Sequence, residues 1–212
     1  MQKFTAVTGI AAPLMKANID TDVIIPAKCL VGHRRDQLGA FCFDAYRYRP
    51  DRSENPDFVL NQSRYRSAQV LVTGENFGCG SSRESAVWAL AGIGMRCVIA
   101  PGFGDIFFNN AFQNGMLLIR LPEEQVEQLA AELESAATST VTVDLQEQII
   151  ALPSGVQISF EVDAERRQAL LEGRDEISMT LTRDGEICAF QERDRDLRPW
   201  VYQTSLRTKL AT

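Results

Sequence analysis

The residue types best suited to chemistry stand together between Gly74 and Glu84, in the run Gly74-Glu75-Asn76-Phe77-Gly78-Cys79-Gly80-Ser81-Ser82-Arg83-Glu84. Glycines at a strand-to-helix turn let the backbone come close to a ligand. Two serines then lead into a helix whose free N–H groups and dipole favour an anion. Arg83 adds a planar fork suited to a carboxylate. A serine hydroxyl in that setting gives up its proton more readily than in water, because donors, dipole and guanidinium all favour negative charge. A plainer reading uses the same residues: Ser81 and Glu84 as a capping box, Ser82 as a surface hydroxyl, Arg83 as an ion-pair partner. The segment is not a dinucleotide fingerprint, which needs a third glycine, nor the G-x-S-x-G of a nucleophile elbow.

Two further segments carry polar residues at suggestive spacing. Asn18-Ile19-Asp20-Thr21-Asp22-Val23-Ile24-Ile25-Pro26 sets two aspartates around a threonine. They suit either a metal or an Asx-type turn before a buried strand, and the Val-Ile-Ile that follows is unlike a calcium loop. In Pro101-Gly102-Phe103-Gly104-Asp105-Ile106-Phe107-Phe108 the aromatics read as packing of a helix against a sheet, with Asp105 as its cap. Imidazole is nearly absent, since His33 is the single histidine. One imidazole cannot build a multi-histidine zinc site and supplies at most one member of a triad. The five cysteines, Cys29, Cys42, Cys79, Cys97 and Cys188, include no C-x-x-C pair. They read as free thiols of a cytoplasmic protein rather than a disulfide frame, and no metal site is expected on this chain.

The elements that must hold these groups follow from periodicity. The chain has 212 residues, 45% hydrophobic and 24% charged, with formal net charge −6. That composition fits a folded chain and excludes disordered and collagen-like classes. The acidic balance argues against non-specific nucleic-acid binding, and no apolar run reaches membrane-spanning length. Phe4–Ile10 and Val23–Ile25 read as strands, and 27–66 as a long functional loop followed by a surface excursion. Gln69–Thr73, Cys97–Ala100 and Met116–Leu121 read as strands alternating with a helix after Ser81 and another around Ile106–Phe112. Glu123–Ala137 reads as an amphipathic helix, with 140–145, 148–152 and 156–162 as strands, Ala164–Leu171 as a helix and Ser178–Thr182 as a last strand. From Gln191 periodicity is lost. Residues 1–200 are expected to form a single domain and 201–212 a flexible tail.

Taken in order, Asn18–Pro26, Asn55-Pro56-Asp57-Phe58-Val59-Leu60-Asn61, Asn76–Glu84 and the Phe103–Gly115 stretch resemble the 3-isopropylmalate dehydratase small-subunit family, the swivel domain of the aconitase superfamily. The resemblance covers roughly residues 1–200. It implies an α/β fold, a swivelling β/β/α domain like aconitase domain 4, with a mixed sheet flanked by helices. It implies a separate large subunit as partner, holding a [4Fe–4S] cluster that this chain does not bind. It implies a hydro-lyase of leucine biosynthesis that isomerises a 2-hydroxy diacid by dehydration and rehydration. Ser81 is then the base, while Ser82, Arg83 and Arg35, with Arg34 the alternative to Arg35, bind substrate carboxylates. Asp20, Thr21, Asp22, Cys79 and Gly80 support them from behind.

The chain departs from the family pattern at two places. Ser85 follows Arg83-Glu84 where relatives have histidine. The loop Cys29-Leu30-Val31-Gly32-His33-Arg34-Arg35-Asp36-Gln37-Leu38-Gly39 has Arg35-Asp36-Gln37 where relatives have Arg-Thr-Gly. That loop contributes to substrate selection in relatives. Another malate-type diacid is therefore the alternative substrate, and a non-catalytic interaction domain the alternative class. His33 lies within the altered loop, as a catalytic candidate or a surface residue.

Overall fold

The computed structural model describes residues 1–202. Seven strands form one mixed sheet: β1 Ala6–Leu14, β2 Val70–Thr73, β3 Cys97–Ala100, β4 Leu117–Arg120, β5 Thr140–Asp144, β6 Ile149–Ala151 and β7 Gln157–Ser159. Their order is β4-β3-β2-β1-β5-β6-β7. The half from β4 to β1 is parallel, and β5, β6 and β7 add antiparallel strands to the other side of β1. The helices are α1 Thr21–Ile24, α2 Asp44–Arg47, α3 Glu84–Gly92, α4 Asp105–Gln113, α5 Glu123–Ser135, α6 Ala164–Glu172, α7 Glu176–Leu181, α8 Asp184–Leu197 and α9 Pro199–Tyr202.

The parallel strands β2, β3 and β4 have four residues each and are mostly apolar and buried, because both sheet faces are covered. Alternate residues divide between two cores. Leu71, Val98 and Leu118 face a core shared with Ala86, Val87 and Leu90 of α3 and Phe107 and Ala111 of α4. Val70, Val72, Cys97, Ile99, Leu117 and Ile119 face the other, where Val126, Leu129, Ala130 and Leu133 of α5 close it. These four recur at helical spacing and are the buried face of an otherwise charged helix. The cysteine thiols at Cys42 and Cys97 lie fully inside these cores, and burial pushes both far above their ordinary range. They are packing residues rather than nucleophiles.

The long connection from β1 to β2 folds over the first core. A 3₁₀ segment, Arg35–Phe41, crosses α3 at a glycine pair. A Cβ on Gly39 would stand 2.6 Å from the carbonyl carbon of Gly92, so only hydrogen allows the two backbones to meet. Gly39→Ala is expected to push this segment off α3 and lower stability by about 1–3 kcal/mol. The drop is measured as a shift in the denaturant midpoint at unchanged slope, and an unshifted midpoint rules the contact out as a constraint.

Several sequence expectations are corrected here. Val23–Ile25 is not a strand. Asp20 accepts from the Val23 N–H at 2.7 Å and caps a single helical turn, which outcompetes the β-branched preference. Ser81 and Glu84 form no capping box: α3 begins at Glu84, Arg83 is its N-cap residue, and no side chain caps it. Asp105 is the first residue of α4, behind Gly104, and does not cap it. Ser178–Thr182 is not a strand but mostly α7, started by Asp175 accepting from Ser178 N–H at 2.8 Å. Apolar periodicity does fade at Gln191, yet α8 continues as helix to Leu197 with Asp194 as its one buried residue.

The chain divides into two compact units, Met1–Gly173 and Arg174 onward. The first holds the whole sheet and α1 to α6. The second, as far as described, is helical. In it the buried Asp194 accepts from Arg198 Nε at 2.6 Å and from Tyr202 Oη at 2.9 Å, fastening α9 to the end of α8. The tail expected at 201–212 lies almost wholly outside the described residues.

Candidate active site

Three parallel strands end side by side, and the loops that leave them stay side by side. β1 runs into Lys16–Asp20, β2 into Gly74–Arg83 and β3 into Pro101–Gly104. Asp20 pairs with Cys79, and Phe77 pairs with Phe103, each as an isolated parallel bridge. The bonds are short: Gly78 N–H to Ile19 O at 2.7 Å, Thr21 N–H to Cys79 O at 3.0 Å, Phe77 N–H to Gly102 O at 3.1 Å and Gly104 N–H to Phe77 O at 2.9 Å. The sheet order therefore continues into the loops beyond the carboxyl ends of the strands, where open α/β sheets place their ligands. A loop pinned from both sides can hold a reacting group at fixed geometry.

Phe77 anchors the middle loop. It is fully buried and meets Phe107 edge to face, with centroids 5.4 Å apart. Immediately after it the backbone turns sharply: Gly78 has φ +73° and Gly80 φ +87°. Those turns bring Ser81 and Ser82 out to solvent. The Ser81 backbone is held from below, where Thr21 Oγ1 donates to Ser81 O at 2.9 Å. Thr21 is itself 98% buried, so that support is fixed within the core.

Arg83 points back to the first loop and forms an ion pair, Nη1 to Asp22 Oδ1. Its side chain is only 16% exposed, whereas Asp22 is 55% exposed. The Arg83 hydrogen bond holds the Asp22 carboxyl below its ordinary range, and the Arg83 guanidinium is held more firmly charged by Asp22. A lowered folded pKa stabilises above the unfolded carboxylate value of about 3.9 and loses that contribution as pH falls through the folded value. The pair is thus complete across the neutral range. A carbon-detected NMR titration is expected to place the Asp22 midpoint below the ordinary one, and Arg83→Gln to move it upward. An Asp22 midpoint indifferent to that change would show that the pair does not form.

The structure brings Ser81, Ser82, Arg83, Asp20, Thr21, Asp22, Cys79 and Gly80 into one place and keeps both loop arginines out of that cluster's recorded bonds. Arg34 turns onto its neighbour Asp36, at 2.9 Å, with 78% of its side chain exposed. Arg35 reaches across to Asn114 Oδ1 at 2.8 Å and lies over the Trp88 ring, 5.0 Å from its centroid. His33 is exposed and stacks against Phe41 at 4.5 Å. Ser85, next after Glu84, is buried in the first turn of α3. Asn114 and Trp88 were invisible to motif reading. Asn114-Gly115 looks like an ordinary helix end, and its partner Arg35 lies 79 residues away in the chain.

Among the described residues no group of three or more His, Cys, Asp or Glu side chains could hold a metal ion. Cys29, Cys42 and Cys97 are buried, and Cys79 is half-buried. No described helix is long and apolar enough to cross a membrane.

Comparison with known proteins agrees with this geometry. The family described as Aconitase C-terminal domain matches residues 1–124, and the one described as LeuD_N matches 127–164. The solved structure of a 3-isopropylmalate dehydratase from Methanocaldococcus jannaschii superposes with a TM-score of 0.62 at 26% identity, covering 88% of this chain and 99% of that one. The pinned loops at the strand ends and these matches define an aconitase-type C-terminal domain, the swivel fold. The 3-isopropylmalate dehydratase small subunits of Dinoroseobacter shibae and Paramagnetospirillum magneticum are 55% and 53% identical over 201 residues, covering 95% of this chain and all of each relative. The chain belongs to the 3-isopropylmalate dehydratase small-subunit family.

Proposed function

We propose that this chain is the small subunit of a hydro-lyase that converts 2-isopropylmalate to 3-isopropylmalate, an isomerisation in leucine biosynthesis. The single observation that carries the reading is the Ser81–Arg83 element, exposed at the end of a loop pinned between two others, within a chain so similar to relatives of that name. The partner is a large subunit holding a [4Fe–4S] cluster, which when bound supplies Lewis-acid chemistry to the substrate hydroxyl and carboxylate. Among the described residues this chain's thiols are buried or lie apart, which fits a cluster held by the partner. Free thiols fit a cytoplasmic setting.

This chain's contribution is proton transfer and carboxylate binding. Ser81 Oγ, as the alkoxide, takes the proton from the carbon beside a carboxylate. The electron pair forms the carbon–carbon double bond as the neighbouring hydroxyl takes a proton from an acid on the partner subunit and leaves as water. In the return direction water returns a proton to that group, its hydroxyl adds to the carbon that Ser81 deprotonated, and Ser81 delivers its proton to the carbon that lost the hydroxyl, so the hydroxyl has moved by one position. Ser82 and Arg83 hold one carboxylate, and Arg35 approaches the other from the loop. Arg83 keeps five N–H donors in a rigid fork, of which Asp22 occupies one edge. Cys79 and Gly80 carry the turn that exposes Ser81, and Asp20, Thr21 and Asp22 brace it. The substrate is a dianion, and two arginines offset its charge.

The departure at Arg35-Asp36-Gln37 favours one further reading, a related small subunit for another malate-type diacid. A substrate panel on the anaerobically reconstituted two-subunit complex decides between them. Highest kcat/KM on 2-isopropylmalate supports the first, and a preference for a shorter diacid replaces the substrate while keeping the chemistry.

A further inference from the structure

The side-chain amide of Asn114 sits at the end of α4 and uses all of its hydrogen-bonding capacity. Oδ1 accepts from Arg35 Nη2 at 2.8 Å and from Trp88 Nε1 at 3.0 Å, while Nδ2 donates to Glu84 Oε1 and to Asn110 O, both at 2.8 Å. An amide has two acceptor sites and two donor hydrogens, so only a side-chain amide satisfies this set. Glu84 and Trp88 are one turn apart on α3 and present one face. The amide therefore stands between the Arg35 guanidinium and the Glu84 carboxylate. Both recorded partners of Arg35, an amide oxygen and an indole face, are neutral. Arg34, by contrast, spends its charge on Asp36.

We infer that Asn114 is a positioning residue for Arg35: it fixes the guanidinium against α3 and keeps Glu84 from neutralising it, so that Arg35 stays available to a substrate carboxylate. The inference rests on the assignment of Arg35 as a carboxylate ligand. The fixation has two independent points. The Gly39–Gly92 contact sets the loop backbone, and the Asn114–Trp88 pair sets the side chain. Without the amide, Arg35 and Glu84 can close into an ion pair that competes with substrate.

The test is a KM-against-kcat comparison of Asn114→Leu, Arg35→Gln and the double variant in the reconstituted complex with 2-isopropylmalate. Asn114 has φ −95° and ψ 3°, outside the left-handed region, so leucine is sterically allowed there. Asn114→Leu is expected to raise KM about tenfold, equivalent to about 1.4 kcal/mol, with kcat within about twofold. Arg35→Gln is expected to raise KM at least as much, and the double variant no further, because both remove one interaction. Adding Glu84→Gln to Asn114→Leu is expected to recover part of the KM loss. If Arg35→Gln raises KM and Asn114→Leu does not, the positioning role is overturned and the Arg35 assignment stands. If Arg35→Gln leaves KM unchanged, the Arg35 assignment falls and takes the inference with it. Should Asn114→Leu fail to fold, Asn114→Asp is measured instead. It keeps the acceptor for Arg35 and Trp88 but sets a carboxylate directly against the guanidinium; KM is expected to rise, and an unchanged KM overturns the claim that Arg35 must be held by a neutral partner.

Discussion

Replacing Ser81 by alanine is expected to lower kcat of the assembled two-subunit enzyme by about 10²–10⁴-fold, the range for a lost general base. KM should change far less, because the carboxylates are held by other groups. The hydroxyl is the only part removed, and it is exposed at the end of its loop. The backbone that carries it is fixed by Thr21 Oγ1 and by the Asp20–Cys79 bridge, neither of which involves Ser81 Oγ. Folding and subunit assembly should therefore be unaffected, and steady-state kinetics reads chemistry alone. Ser82→Ala is the internal control. It removes a neighbouring hydroxyl from the same exposed turn and should act on KM rather than abolish turnover. Near-normal kcat in Ser81→Ala would transfer the base to another group.

The second large effect concerns stability. Gly78→Ala is expected to cost about 2–5 kcal/mol. Two causes add. At φ +73° an L side chain is strained, and the new Cβ would overlap the Phe107 ring, itself 2% exposed and packed on Phe77. Neither ring can retreat from a filled core. The thermal midpoint of the free chain is expected to drop by about 10 °C, and activity at permissive temperature should fall as well, since Ser81 lies three residues downstream. Gly80→Ala separates the causes. Its φ is +87°, but the added Cβ meets Asp20 Cβ at 3.4 Å and Thr21 Oγ1 at 4.0 Å, ordinary contacts. It should be the milder variant. Equal losses at both positions would mean that strain, not the Phe107 clash, governs the turn.

The site was more legible than the elements around it. Ser81, Ser82 and Arg83 could be read from a glycine-flanked run. Asp20, Thr21 and Asp22 were marked as a turn by residue type, and the structure adds that the turn is capped by Asp20 and pairs with the serine loop. Amphipathic α5 was readable because its four buried residues follow helical spacing. Val23–Ile25 misled because β-branching is a weak preference, and one capped turn with a buried Ile24 overrides it. The capping-box spacing at Ser81 misled because the helix begins three residues later, at Glu84, with Arg83 at its N-cap and no side chain capping it. The Arg35–Asn114–Glu84 chain could not be read at all, because it joins three parts of the sequence that only the packing of α3 and α4 brings together.

The split active site is tested most directly by titrating this chain into cluster-loaded large subunit, anaerobically, and following the ultraviolet absorbance of the alkene diacid with 2-isopropylmalate present. Each chain alone should be inactive, activity should rise with added chain and saturate at a fixed stoichiometry, and the Ser81→Ala chain should bind to the same stoichiometry without restoring it. Full activity from the large subunit alone, or full activity with the Ser81→Ala chain, would contradict the account.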